Sequence, residues 1–395
     1  MNSIGIGLVL LYLISGDALV LSGGNLAHID TETGVVTPSL GFLHTYPNDI
    51  VIHDGYAFVV NSGNDSGTLQ RFELGSWEMQ ELGIGTGWNC WASFPLANGS
   101  LAITSALNNS VSMVNYHVMQ VTSTVYGVGP NPEWMDEEGD LLFVACGGWG
   151  SGESVAVINT TTGNIVDTLS SGINCQSVVC DGSGRLFVTC SGTYGSDNGS
   201  VAVIDISTGS VTAELSLGGF PAFSTDANGI LYTADPWSTG VFAINMNTLD
   251  ILHDAGNPLC AGGNGIAVDD SGYLWVSDGM ADEVRVYDQA DNLLQIYSIE
   301  NPGPLAVSGS WTGISENSRS DVTLSVYPCP ATSWATVSGG CPGGVVRVYD
   351  ITGRIAAEHL TDQNGVCAID AGKLQPGLYS VVCGEKTVRL AVTEE

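Results

Sequence analysis

Residues Ser154–Leu169 read SVAVINTTTGNIVDTL, and one period later Ser200–Leu215 read SVAVIDISTGSVTAEL. Each stretch alternates apolar and polar residues, turns at Thr-Gly, and alternates again, the pattern of a β-hairpin. Ahead of each hairpin stands a glycine followed by a short apolar run rich in β-formers. The same glycine-led run recurs at Gly16 (GDALVLSG), Gly55 (GYAFVVNSG), Gly99 (GSLAITSA), Gly139 (GDLLFVACGG), Gly184 (GRLFVTCSG), Gly229 (GILYTADPW) and Gly272 (GYLWVSDG). A further short strand precedes each glycine, as in NDIVIHD from Asn48 and NGIAVDD from Asn264. Four strands recurring every ~40–45 residues define the blade of a β-propeller. Six full periods run from Tyr46 to Asn301, while residues 18–40 supply only three strands of another. The segment PGPLAVSGSW (Pro302–Trp311) matches the missing innermost strand. The expectation is an all-β chain whose seven-bladed propeller, residues 19–311, closes one blade with strands from both of its ends.

Composition narrows the function. Of 395 residues 44% are hydrophobic, enough for a large core and too many for a disordered chain. Lys and Arg total 9 against 41 Asp and Glu, a formal net charge of −32, and the first basic side chain is Arg71. A surface so poor in base excludes electrostatic capture of nucleic acid or of an anionic membrane. The one continuous apolar run, IGIGLVLLYLI (Ile4–Ile14), is short of the ~20 residues of a transmembrane helix and suits the core of an export signal. Residues 1–18 therefore read as a signal peptide with small residues at Gly16-Asp17-Ala18, and no transmembrane segment is expected. Ten cysteines, none in a CxxC pair, agree with an oxidising compartment.

The hairpin pattern resembles the YVTN/YncE-type propeller repeats of secreted and surface bacterial proteins. NGIAVDDSGYLWVSD (Asn264–Asp278) is similar to NHL and gluconolactonase-type blades. Past Trp311, residues 312–321 (TGISENSRSD) read as a linker, and residues 322–395 alternate as a small β-sandwich. Three motifs in order carry a second resemblance: Tyr327-Pro328 with Pro330-Ala331, then Val348-Tyr349-Asp350 with Gly353-Arg354, then Leu374, Pro376 and Gly377-Leu378-Tyr379. They resemble the type A sorting domain of type IX secretion, close to the FlgD-like Ig fold. Cys329 stands where that family usually has Asn, and Glu394-Glu395 where a basic end is common. The resemblance implies the type IX machinery as partner and a secreted or cell-surface location on a Gram-negative bacterium.

Candidate site residues lie on one propeller face, where loops lead into the innermost strands. Asn48, Asn89, Asn131, Asn174 and Asn264 are expected at equivalent positions there, with Phe220 breaking the series. Converging amides could hold a polar ligand or an ion. The plainer account is that each Asn stabilises its own turn. Neighbouring loops carry Trp149, Tyr194 and Trp237 among Asp65, Glu153, Asp197 and Asp235, a composition suited to an extracellular glycan or peptide. Metal-dependent lactonases and lyases of this fold offer the rival expectation. Asn264-Gly265 matches one of their ligand motifs and Glu133 falls on an innermost strand, but GPLAV replaces their early Glu-containing motif. His28, His44, His53, His117, His253 and His359 form no ligand spacing, and no GxSxG, P-loop or HExxH occurs. The leading expectation is a non-catalytic binding propeller without cofactor. The alternative is a secreted hydrolase, lactonase or lyase with a divalent cation at the channel mouth.

Cys175 begins an innermost strand and Cys190 ends the next, so the two meet across a hairpin, with Cys146 at the equivalent place one blade earlier. A disulfide among these and small buried thiols are both open readings. In the sandwich, proximity pairs Cys329 with Cys341 and Cys367 with Cys383, one of three connectivities.

Overall fold

The computed structural model describes residues 17–30, 34–237, 240–308, 325–327, 329–338, 343–350, 354–363, 365–383 and 386–393. These form two compact units, 17–308 and 325–393. The first contains seven four-stranded antiparallel sheets. Blade 1 runs outward from Pro302–Val307 through Asp17–Ser22 and Asn25–Asp30 to Val35–Phe42, so its innermost strand comes from the far end of the unit. The other blades are consecutive in sequence, with innermost strands Pro47–His53, Cys90–Pro95, Pro132–Glu138, Cys175–Cys180, Phe223–Ala227 and Gly265–Val268. Each innermost strand neighbours the next, and Pro302–Val307 joins Gly265–Val268 to Pro47–His53, which closes the ring. Closure completes blade 1 and the ring, while each innermost strand remains the inner edge of its own sheet, facing the axis.

The burial pattern follows from this stacking. Second strands such as Leu101–Ser105 are buried at every position because a neighbouring blade covers each face. Outermost strands such as Asn164–Ser170 face water and are mostly exposed. Blades are also tied by polar groups. Asp49 Oδ2 accepts from the Ser93 amide at 2.7 Å and hydroxyl at 2.9 Å, joining blades 2 and 3. Between blades 4 and 5, Asp136 accepts from the Cys180 amide at 2.6 Å. Arg71 lies over the Tyr56 ring at 4.5 Å and donates to the carbonyls of Tyr116 and His117 in blade 3.

One backbone feature recurs in all seven blades. Asn301, Tyr46, Asn89, Asn131, Asn174, Gly219 and Gly263 all have positive φ, from 45° at Asn301 to 107° at Gly263, and all sit just ahead of an innermost strand. The chain must swing there from an outer strand to the axis. The closing blade is crowded as well: a Cβ on Gly265 would come within 2.6 Å of the Gly303 carbonyl oxygen.

The second unit is a two-sheet sandwich. Ser325–Tyr327, Trp334–Ser338 and Cys367–Asp370 form one sheet; Ile355–Leu360, Val345–Tyr349, Gly377–Cys383 and Lys386–Val392 form the other. Val337, Val346, Val348, Ile369, Val381 and Leu390 fill the space between them. Tyr379 donates its hydroxyl to the Gln375 carbonyl at 2.7 Å, pinning the Gln375-Pro376-Gly377 corner.

Most of the apolar leader and all of the 312–321 segment lie outside the described residues, as do Cys341 and Gly353. The first strand begins at Asp17, and Ala18 is fully buried opposite Ile29 and Val307. The fold thus takes in Asp17, which pairs with Asp30, and Ala18, which pairs with both Ile29 and Val307, two residues that the sequence reading assigned to the leader. Every described cysteine is a free thiol. Cys367 and Cys383 share the sandwich core, while Cys329 is exposed and its sulfur accepts from the Ala391 amide at 3.3 Å.

Candidate functional site

The expected ring of equivalent amides does not form. Asn89, Asn131 and Asn174 do share one position, the left-handed residue before the innermost strand. Asn48 instead lies two residues beyond its blade's left-handed Tyr46, and Asn264 one residue beyond Gly263. The position selects a backbone conformation, which Asn tolerates better than most residues, and Gly or Tyr meets the same need elsewhere.

The amides are engaged locally. Asn48 donates to the Cys90 carbonyl at 2.8 Å and to Ser62 Oγ. Asn131 donates to Glu133, Gln176 donates to Asn174 Oδ1 at 2.8 Å, and Gly279 N–H donates to Asn264 Oδ1 at 2.8 Å. The axis itself carries aromatic rings. Trp91 meets Trp134 edge to face at 5.9 Å, and Trp134 meets Phe223 at 4.9 Å. Beside these rings lies a cavity of about 60 Å³ bordered by Asp49, Trp134, Phe223 and Leu305 among others. Burial raises the Asp49 carboxyl above its ordinary range, against the opposing pull of the Ser93 amide.

Glu133 directly precedes Trp134 and is 3% exposed. Burial pushes its carboxyl up from 4.5 to about 8, the Asn131 amide acting in the other direction. Its Oε2 is buried with no hydrogen-bond partner among the described residues. Among those residues, no group of three or more His, Cys, Asp or Glu is placed to hold a metal ion.

Two features on this face expose aromatic surface. In the first, Phe220 stands between Tyr194 and Trp237, with centroids 5.9 Å and 5.3 Å away and rings close to perpendicular. Tyr194 is 86% and Trp237 65% exposed. The cluster is held from below by Asp235, whose two oxygens accept the Phe220 amide at 2.9 Å and the Trp237 amide at 3.0 Å. Asp235 is 1% exposed and braces the rings from the interior, whereas Asp65, Glu153 and Asp197 are exposed. Trp149, 61% exposed at a left-handed position, makes no ring contact with the cluster among the described residues.

The second feature is an open cleft of about 420 Å³ on blades 2 and 3. It brings Asn48 and Asn89 together with Asp65, and adds Tyr46, Trp91 and Leu107 as apolar walls. Sequence reading missed Tyr46, Trp91, Trp134, Leu107 and Phe223. Trp91 follows its left-handed Asn89 by two positions, Trp134 follows Asn131 by three and Phe223 follows Gly219 by four, so no common offset marks them in the sequence.

Comparison with known proteins agrees with both units. Residues 325–391 match the secretion system C-terminal sorting domain family. No curated protein matches the chain significantly. Among solved structures, hydrazine synthase of Kuenenia stuttgartiensis is 17% identical, covers 82% of this chain and 95% of its own, and superposes with a TM-score of 0.56. A streptogramin B lyase is 14% identical over 68% of this chain and 89% of its own, TM-score 0.55. Virginiamycin B lyase from Staphylococcus aureus is 14% identical over 66% and 88%, TM-score 0.51. At these identities the likeness is one of fold. Among the described residues, no helix is long and apolar enough to cross a membrane. A seven-bladed propeller ahead of a type IX secretion sorting domain makes this an exported protein, delivered through that machinery to the surface or surroundings of a Gram-negative cell.

Proposed function

We propose that the propeller is a non-catalytic binding module for an uncharged extracellular glycan, held on the face that carries Tyr194, Phe220 and Trp237. The observation that carries this reading is the exposed aromatic cluster braced by Asp235. Leaving Tyr194 and Trp237 in water forgoes roughly 1.5–3 kcal/mol of burial each. Asp235 holds the backbone beneath Phe220 and Trp237 in place, which fixes the rings for a ligand. Sugar rings present C–H faces that stack on aromatic surfaces, and a chain with net charge −32 disfavours acidic ligands. The cleft beside Asn89 and Asp65 supplies amide and carboxylate partners for hydroxyls. In this reading the residues ahead of Asp17 supply the leader, 312–321 the linker, and 322–395 the part read by the secretion machinery.

The test is a neutral-oligosaccharide array probed with the intact protein and with Trp237→Ala and Tyr194→Ala. Loss of every array signal in both variants, with unchanged melting temperature, is the expected result. Array binding that survives both substitutions moves the site elsewhere.

Glu133 favours one rival, a hydrolase, lactonase or lyase. A buried carboxyl that stays protonated near neutral pH, with a bare oxygen, has the character of a general acid. Turnover of a sugar or lactone substrate that Glu133→Gln abolishes would establish that rival.

A further inference from the structure

Blade 5 places two thiols directly opposite one another. Cys175 on the innermost strand and Cys190 on the second strand are register partners, at the end of the ladder next to a bulge between Cys175 and Ser177. The hydrogen bond from the Ser191 amide to the Asn174 carbonyl, 3.0 Å, flanks them and marks Cys175–Cys190 as a non-hydrogen-bonded pair. In such pairs the Cα atoms approach to ~4.5 Å and both side chains leave the same face. That lies within the ~4.4–6.8 Å span that disulfides occupy.

The same position in other blades shows what the geometry does to side chains. In blade 3 it pairs Cys90 with Ser105, and the sulfur and hydroxyl oxygen lie 3.6 Å apart. In blade 4 it pairs Pro132 with Cys146, so that thiol has no sulfur opposite it and lies against the Val144 carbonyl at 3.5 Å. Only blade 5 puts cysteine on both strands at this level. We infer that Cys175 and Cys190 are joined by a disulfide in the exported protein.

The surroundings fit the chemistry. The Cys190 thiol beside it holds Cys175 below the ordinary thiol range, and the Ser171 hydroxyl, 2.7 Å from the sulfur, helps. Cys190 is raised in turn by the same contact and by burial. Either sulfur can open the exchange, which balances as follows with Cys175 first. The Cys175 thiolate attacks a disulfide carried by a thiol oxidoreductase, forming a mixed disulfide, and the displaced donor sulfur takes up a proton. Cys190, deprotonated, then attacks the Cys175 sulfur and releases the donor's second thiol. Two electrons pass from the pair to the donor, whose disulfide becomes a dithiol. Both sulfurs are fully buried in the finished fold, so exchange takes place while blade 5 is still an open hairpin.

The bond would sit one residue from Ser191, whose hydroxyl donates to the Pro221 carbonyl at 2.6 Å, immediately after Phe220. It thus anchors the near side of the aromatic cluster. The experiment is peptide mapping of the full-length exported protein, alkylated in denaturant without reductant and again after reduction. The expected result is a Cys175–Cys190 linked peptide, with both thiols labelled only after reduction. Cys190→Ser should make Cys175 label without reductant. If that variant does not fold, the wild-type map decides alone. Labelling of both thiols before reduction, or a link from either to Cys146, overturns the inference. Neither outcome depends on glycan binding, so the disulfide and the proposed ligand stand or fall separately.

Discussion

Trp134 of blade 4 meets Phe223 of blade 6 at 4.9 Å with ring planes at 90°, although blade 5 lies between their blades in the ring. Such a contact reaches across the axis. It places bulky rings at the centre of the ring of blades.

Trp134→Ala should cost about 3 kcal/mol, the lower end for truncating an aromatic in a packed site, because Trp134 is only half-buried. Chemical denaturation should show the loss, while sugar binding at Tyr194 and Trp237 persists. A variant as stable as the parent would mean that the rings do not support the centre.

Asp235→Ala leaves the Phe220 and Trp237 amides without their acceptor and should destabilise by about 1–3 kcal/mol. The stronger expectation is functional: calorimetry should find binding weakened even at temperatures where the variant is fully folded. Undiminished affinity would reduce Asp235 to an ordinary loop anchor.

Glu133 gives a pH signature whose sign is the reverse of a salt-bridged carboxylate. Its folded value of about 8 exceeds the ordinary 4.5, so the folded protein holds one more proton between those limits. Stability should therefore fall as pH rises from about 4.5 to about 8, and the penalty is complete above that. Its size is on the order of 3–5 kcal/mol. Glu133→Gln should raise the melting temperature at pH 9 and change it little at pH 5. Equal effects at both pH values would show that Glu133 does not titrate in this window.

Deleting Pro302–Val307 should damage the propeller more than deleting residues 322–395. The strand completes blade 1 and bridges two neighbouring blades, whereas the sandwich has a core of its own. Melting curves of the two truncations decide it, and in the native host the second truncation should stay inside the cell envelope with its binding intact.

The blades were legible because a strand between two others must alternate or run apolar, and Ser154–Leu169 and Ser200–Leu215 do so without interruption. The closing strand was legible because PGPLAV lacked a blade and residues 18–40 lacked a strand. The centre was not. Trp91, Trp134 and Phe223 sit at different offsets from their turns, so no repeat exposes them as one group. The Asn series misled for a related reason: a left-handed backbone and a ligand-binding amide favour the same residue type, and register alone separates Asn89 from Asn48. Asp235 was read as a ligand contact because sequence places it beside Trp237, but burial turns its oxygens toward backbone amides.

The strand Pro302–Val307 also imposes an order in time. Residues 17–42 are synthesised first yet wait for a partner made last, some 285 positions later. The entropic cost of so long a loop grows only with the logarithm of its length, so the delay is affordable. Its effect is that the sorting domain emerges only after the last piece of the ring. A chain able to show its sorting domain to the secretion machinery already holds every strand needed to fold its cargo, while one cut short inside the propeller lacks that domain.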